Sequence, residues 1–244
     1  MCQASLRPKN RRRLKKIMSV AGEARNYDVA LKFVARYRVQ HAAQLREKMQ
    51  VHRKQSASAL IAELRKWTDR RMSTKWHAAL NTDAKEEQTT PELARRALGR
   101  IAKDFVKQGQ QASSTDASPK EMHQFRIVAK KFRYALELFQ PLYESELTPI
   151  VASVKGASAL LGDINDCVTV AGIVADYKGG HQLADRLAKR QHKKTGEFRK
   201  YWKEEFADAE RLRSAIDHLH KAEPAVPKKP VASSRAASGQ RKSA

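Results

Sequence analysis

Within residues 121–139, EMHQFRIVAKKFRYALELF, four basic side chains recur at helical steps: His123, Arg126, Lys130 and Arg133, with Glu137 the one acid among them. Spacings of three and four residues put them all on one side of a helix. Like charges one turn apart cost about 0.2–0.5 kcal/mol per pair unless something neutralises them. An anion removes that cost. Arginine offers phosphate oxygens a planar fork, lysine a mobile point charge, and histidine a group whose protonation a polyanion favours. The plainer alternative is a charged face turned to water, but such a face ordinarily mixes signs. Here Phe125, Val128, Phe132, Leu136 and Phe139 form a core face, and Ile127, Tyr134 and Leu138 border the basic stripe on its other side. The pattern predicts a stripe that lines a groove.

The whole chain leans the same way. Its 244 residues hold 49 Lys plus Arg against 26 Asp plus Glu, a formal net charge of +23. That excess is beyond what solubility requires and makes a polyanion the default partner. An apolar share of 41% is enough for real cores. Cys2 and Cys167 fit neither a metal-ligand spacing nor a disulfide framework, which points to a reducing compartment and a cytoplasmic protein. No apolar run is read as long enough to cross a bilayer. The first twenty residues hold seven bases and no acid. They lack the continuous apolar block of a secretory signal, and an organelle presequence or nuclear address is kept only as a minor alternative.

The elements that must position the stripe are helices. Glycine numbers only 10, and apolar residues recur at three- and four-residue steps almost throughout, so the chain reads as all-α. Ala57, Leu60, Leu64 and Trp67 make one apolar stripe. Leu183, Leu187, Phe198, Trp202, Phe206, Leu212, Ile216 and Leu219 make another. Thr90 and Pro91 predict a helix start; Ser118, Pro119 and Glu121 predict another with a capping box, and Pro141 closes that helix. From residue 222 onward Pro, Ala, Ser and basic residues predict a disordered basic tail.

A repeat appears when residues 14–54 are laid on 154–194, a constant offset of 140. Lys15 then meets Lys155, Gly22 meets Gly162, Glu23 meets Asp163, Val34 meets Val174, His41 meets His181, Arg46 meets Arg186, His52 meets His192 and Lys54 meets Lys194. Two matched histidines among only 8 favour duplication over chance. The shared middle, VAGEARNYDV and LLGDINDCVT, reads as helix, glycine stop, polar turn and new helix. Gly162, Asp163, Asn165 and Asp166 are accordingly expected to form a turn with the polar residues as caps. Pairing with an arginine is the second reading for them, and a metal or acid-base cluster the weakest.

The stretch HQFRIVAKKFRYALELF, through His123, Arg126, Lys130, Arg133 and Tyr134, resembles the signature helix of the CHAD family, the conserved histidine alpha-helical domain. LLGDIND, through Leu161, Gly162, Asp163, Asn165 and Asp166, is similar to a later turn in that family. The resemblance implies two similar antiparallel helical bundles around a basic channel that holds inorganic polyphosphate, and a place on polyphosphate granules. The halves are expected at residues 1–111 and 112–221, followed by the tail at 222–244. The first half departs from the family: residues for its own histidine and arginine helix are missing, and Arg25 is followed by Asn26 where the family has Asp. Arg7, Arg11, Arg12, Lys15 and Arg25 are the candidates left to contribute from that half. Lys131, His41, Arg46, His181, Arg186 and Lys189 complete the expected polyphosphate contacts, although His41, His52, His181 and His192 could as well be plain surface histidines.

No phosphate-binding Gly-rich loop, zinc-protease motif or nucleophile elbow occurs, and no strand motif of the triphosphatase often joined to CHAD, so no turnover is expected. Neither a metal nor a cofactor is expected. A sequence-independent nucleic-acid binder is the second reading, weakened by the scarcity of aromatic residues at 7%. An enzyme acting on phosphate chains is the third, lacking a metal-holding carboxylate set. The expected partners are inorganic polyphosphate and, weakly and non-specifically, nucleic acid; no membrane is expected, and self-association stays open.

Overall fold

Ser118 stops one helix-forming run from merging with the next, and the structure shows how. In a computed structural model that describes residues 8–82 and 90–206, the Ser118 hydroxyl accepts from the Glu121 backbone N–H, while Ser118 N–H donates to the Glu121 carboxylate at 2.8 Å. The Ser118 N–H and the Ser118 hydroxyl, which also donates to the carboxylate at 2.7 Å, hold the Glu121 carboxyl below its ordinary range. The capping box is thus intact at neutral pH and loses its carboxylate arm as pH falls through the acid range. Ser118→Ala should lower stability by about 1 kcal/mol, and Ser118→Asp should restore most of it, both read by thermal denaturation.

Seven α-helices follow one another among the described residues: α1 (Pro8–Arg36), α2 (Ala42–Asp69), α3 (Met72–Thr82), α4 (Thr90–Ala112), α5 (Pro119–Phe139), α6 (Glu144–Val174) and α7 (Gly180–Phe206), with a 3-10 turn at Gln140–Leu142 that contains Pro141. No strand occurs among them, so the fold class is all-α as expected. The tail from 222 and the apolar positions Leu212, Ile216 and Leu219 lie outside the described residues.

The expected glycine stops are absent. Gly22 lies inside α1 and Gly162 inside α6, each an unbroken helix. Glycine in a helix interior costs only about 1 kcal/mol relative to alanine, less than the packing of these helices supplies. Gly162, Asp163, Asn165 and Asp166 therefore form no turn and cap nothing.

Two cores form along the α6–α7 pair. In the first, Leu98, Phe105, Phe125, Phe132, Leu136, Val154, Leu161, Phe198 and Trp202 join α4 and α5 to the first half of α6 and the second half of α7. Gly109 faces Trp202 so closely that any Cβ there would run into the indole. In the second core, Ala30, Val34, Leu45 and Met49 of α1 and α2 meet Cys167, Val170, Val174, Leu183 and Leu187. The packing does not divide at residue 111: α4 shares its core with α5, and α6 and α7 belong to both cores. A continuous helix can serve two cores because its apolar residues recur along its whole length.

By length and composition α6 could cross a membrane, with a window of mean hydropathy 1.4 over Leu147–Val174, contrary to the sequence reading that no such run exists. Val154 and Leu161 fill the first core and Val170 and Val174 the second, and 33% of that window is buried.

The duplication is visible, in corrected register. Val34 and Val174 are equivalent in the second core, an offset of 140. In the following helices Leu45 and Met49 take the places of Leu183 and Leu187, where 183 less 45 and 187 less 49 both give 138. The residues before those helices agree: His41 has φ 58° and Gly179 φ 80°, both left-handed. α1 runs two residues past Val34, to Arg36, whereas α6 ends at Val174, and the connections that follow, 37–41 and 175–179, are equally long. The matches of His41 with His181, Arg46 with Arg186, His52 with His192 and Lys54 with Lys194 are therefore not structural equivalences. Gly179 is required twice over, by its positive φ and because a Cβ would meet the Gln40 carbonyl oxygen where the two turns touch.

Candidate anion-binding site

α5 runs antiparallel to the first half of α6 and turns its basic side towards the line where α1 and α6 meet. Its core residues Phe125, Ala129, Phe132 and Leu136 are fully buried, which fixes the azimuth of the stripe. His123 Nδ1 lies 3.2 Å from Asn165 Oδ1 across to α6. One turn on, Arg126 is half-buried, and its Nε is out of reach of water and of any hydrogen-bond partner. Burial lowers the Arg126 pKa; Asp166 opposes that and Arg25 adds to it.

Arg25 of α1 donates two hydrogen bonds to Asp166, at 3.3 and 3.1 Å. This is the arginine pairing that was the second reading of the acidic cluster. It is also a contact between residues 141 apart that crosses from one repeat to the other. Asp163 is engaged likewise by Arg190 at 3.3 Å and Lys194 at 3.6 Å, and Lys194 also pairs with Glu197 at 2.6 Å.

Further along α5, the Arg133 guanidinium lies 4.6 Å from the centroid of the Tyr134 ring and Lys130 Nζ 6.0 Å from it. Arg133 Nε is 3.7 Å from Glu137, too long for a hydrogen bond, and Glu137 is shared with Lys155 at 3.5 Å. The result is a region in which Arg25, Arg126, Lys130, Arg133, Lys155, Arg190 and Lys194 outnumber Asp163, Asp166, Glu137 and Glu197. Among the described residues no carboxylate lies within ion-pair distance of Arg126 or Lys130. Such side chains can place several donors along one line of anionic oxygens without first breaking strong pairs of their own.

A cleft of about 50 Å³ opens beside His123 and Arg126, walled by Met122, Leu161, Ile164, Asn165, Val168 and Gln191. It has room for a water molecule or two, so an extended ligand would lie over its mouth.

The structure brings only some of the expected residues together. His123, Arg126, Lys130, Arg133 and Tyr134 line one side of α5 with Arg25 close by, and Lys131 is exposed beside them. Arg11, Arg12 and Lys15 are exposed on the first half of α1. Arg7 lies outside the described residues. His41, Arg46, His181 and Arg186 are exposed near the paired turns, away from α5, whereas Lys189 is exposed further along α7 beside Arg190. His52 is more than a plain surface residue: it stacks on Tyr27 at 5.3 Å, and its Nε2 lies 2.9 Å from the Tyr177 hydroxyl. Arg190, Lys194 and Lys155 were missed as site residues, although Arg190 and Lys194 stand at i and i+4. Among the described residues no group of three His, Cys, Asp or Glu could hold a metal ion.

A model of the CHAD domain matches residues 3–175. Among solved structures the chain is similar to the crystal structure of the CHAD domain from the plant Ricinus communis, at 21% identity and a TM-score of 0.58, over 89% of this chain and 74% of that one. At that identity the likeness speaks for the fold. No curated protein matches significantly.

Proposed function

Since the chain belongs to the CHAD domain family, we propose that it binds inorganic polyphosphate without turning it over, through the basic side of α5 and the cations that α1, α6 and α7 bring beside it. The family is associated with polyphosphate binding. The observation that carries the reading is the pair Arg126 and Lys130: adjacent cations, one half-buried with an unsatisfied Nε, and no carboxylate partner for either among the described residues. Keeping a guanidinium half out of water with no carboxylate within ion-pair distance is costly even with Asp166 acting on it from further off, and a phosphate chain along the stripe would supply the missing charge. On this reading the protein sits in the cytoplasm on polyphosphate granules, checked by co-localisation of a tagged chain with a polyphosphate stain.

Affinity should come largely from counterion release. With about five phosphates neutralised, the slope of log K against log salt should be about −3 or steeper. Titration of long-chain polyphosphate at several salt concentrations measures it, and a flat slope would sink the reading. The second reading, sequence-independent nucleic-acid binding, is favoured by the chain's overall charge of +23. Competition at about 150 mM salt between polyphosphate and duplex DNA, matched in phosphate, separates the two. Polyphosphate should win, and a win for DNA reverses the ranking.

A further inference from the structure

The α1–α2 hairpin carries an apolar seam that nothing among the described residues covers, and we propose that a second copy of this chain covers it, hairpin against hairpin about a two-fold axis. The internal repeat identifies the seam. In the second repeat, Val154, Ala157 and Leu161 of α6 and Phe198 and Trp202 of α7 are buried under α4 and α5. At the offsets of 140 and 138 their places are taken by Leu14, Ile17, Ala21, Leu60 and Leu64. Apolar identity persists there with less burial: Leu14, Ile17, Ala21 and Leu60 are half-buried and Leu64 is exposed. Trp202 is 5% exposed, whereas Leu64 at its place is 44% exposed, and beside it Ile61 is 50% and Met18 65% exposed. Over residues 10–29 no side chain is buried, and over 50–69 only Ser56. α3 reaches only the far end of the hairpin, where Trp67 meets Trp76 at 5.1 Å. Exposed apolar side chains gathered along one hairpin, over a half-buried row of further apolar residues, mark an interaction face.

Three features select a second copy as the occupant. The equivalent seam on α6–α7 is closed by a pair of helices, α4 and α5, and a second hairpin is also a pair of helices, making four around one core. The exposed stretch is about 28 Å long and 20 Å wide from helix geometry, so two copies would bury about 1,100 Å², above the extent of most incidental contacts and in the range of weak, reversible association. Finally, Arg12 and Lys16 project roughly half a turn away from Leu14, and Lys16 reaches Glu63 at 2.8 Å. The centre of the seam is therefore apolar, so that two copies related by a two-fold axis can pack like against like there. Residues 8–24 and 50–69 nevertheless hold ten bases against three acids, so the two copies repel at long range. Salt should strengthen this association, opposite in sign to its effect on polyanion binding.

Sedimentation velocity over a concentration series, at low and at about 500 mM salt, tests this on the full chain without any ligand. A species of twice 27.6 kDa is expected, more populated at the higher salt. Ile61→Glu with Leu64→Glu should weaken self-association at least tenfold with helix content unchanged. Leu64→Met should keep the dimer, as should Leu138→Glu at the 70% exposed position on α5. A wild type that stays monomeric at both salts overturns the proposal and leaves the seam to a different protein. Equal dissociation by Leu138→Glu overturns it as well.

Discussion

Reversing charge at Arg126, Lys130 and Arg133 together, each to Glu, should weaken polyphosphate binding about a thousandfold or more while leaving helix content and thermal stability nearly unchanged. A hydrogen bond to a charged group contributes about 1.5–3 kcal/mol. Removing three such bonds at once corresponds to about three decades or more in affinity. Stability should survive because none of the three holds the fold together. Arg126 Nε and Arg133 Nε have no hydrogen-bond partner, and the Arg133–Glu137 contact at 3.7 Å is long and partly exposed. The control is an equal change of charge elsewhere: Lys103 and Lys107 on the outer side of α4 and Lys200 on α7, all exposed. Isothermal titration of both triple variants against long-chain polyphosphate reads the difference. Equal losses in the two would mean that net charge alone does the binding and that the α5 stripe has no special part in it.

Phe105→Ala should do the reverse, costing stability and sparing affinity. Phe105 is fully buried, with Phe132 at 4.9 Å, Phe125 at 5.2 Å, and Trp202 and Phe206 each at 5.3 Å between ring centroids. Truncating a buried phenylalanine costs about 3–5 kcal/mol, and at this chain length each kcal/mol lowers Tm by about 2–4 °C. A fall of about 10 °C is expected by calorimetry. Below the transition the stripe keeps its azimuth, because Phe125, Phe132 and Leu136 still anchor α5. Polyphosphate affinity should therefore stay within about twofold. A large loss of affinity at a temperature where the variant is fully folded would mean that α4 shapes the binding surface directly, which the present geometry does not give it.

Much of this protein was legible from its residues alone. The Ser118, Pro119 and Glu121 start of α5, its end before Pro141, its core face and its basic side all follow from local signals. Caps, proline geometry and a 3.6-residue period act within a few residues and need no knowledge of the rest of the chain. The family resemblance rested on the same stretch, and the CHAD domain match over residues 3–175 agrees with it. The glycines misled because the conformational cost of one glycine is local and small, whereas the packing that keeps α1 and α6 continuous is collective and leaves no mark near Gly22 or Gly162. The register misled because α1 runs two residues further past Val34 than α6 runs past Val174, which moves every later match, and the coincidence of His41 with His181 concealed the slip that Leu45 and Leu183, sharing one core, expose.

The sequence by itself determined that the chain is helical, strongly basic, internally duplicated, and provided with one helix whose like charges ask for an anion. Only the tertiary structure decided which of those charges already have a partner. Arg25 reaches Asp166 and Arg190 reaches Asp163, whereas Arg126 and Lys130 have no carboxylate among the described residues. Ion pairing depends on separations of a few ångströms between side chains far apart in the chain, and helical periodicity reports only which way each side chain faces along its own helix.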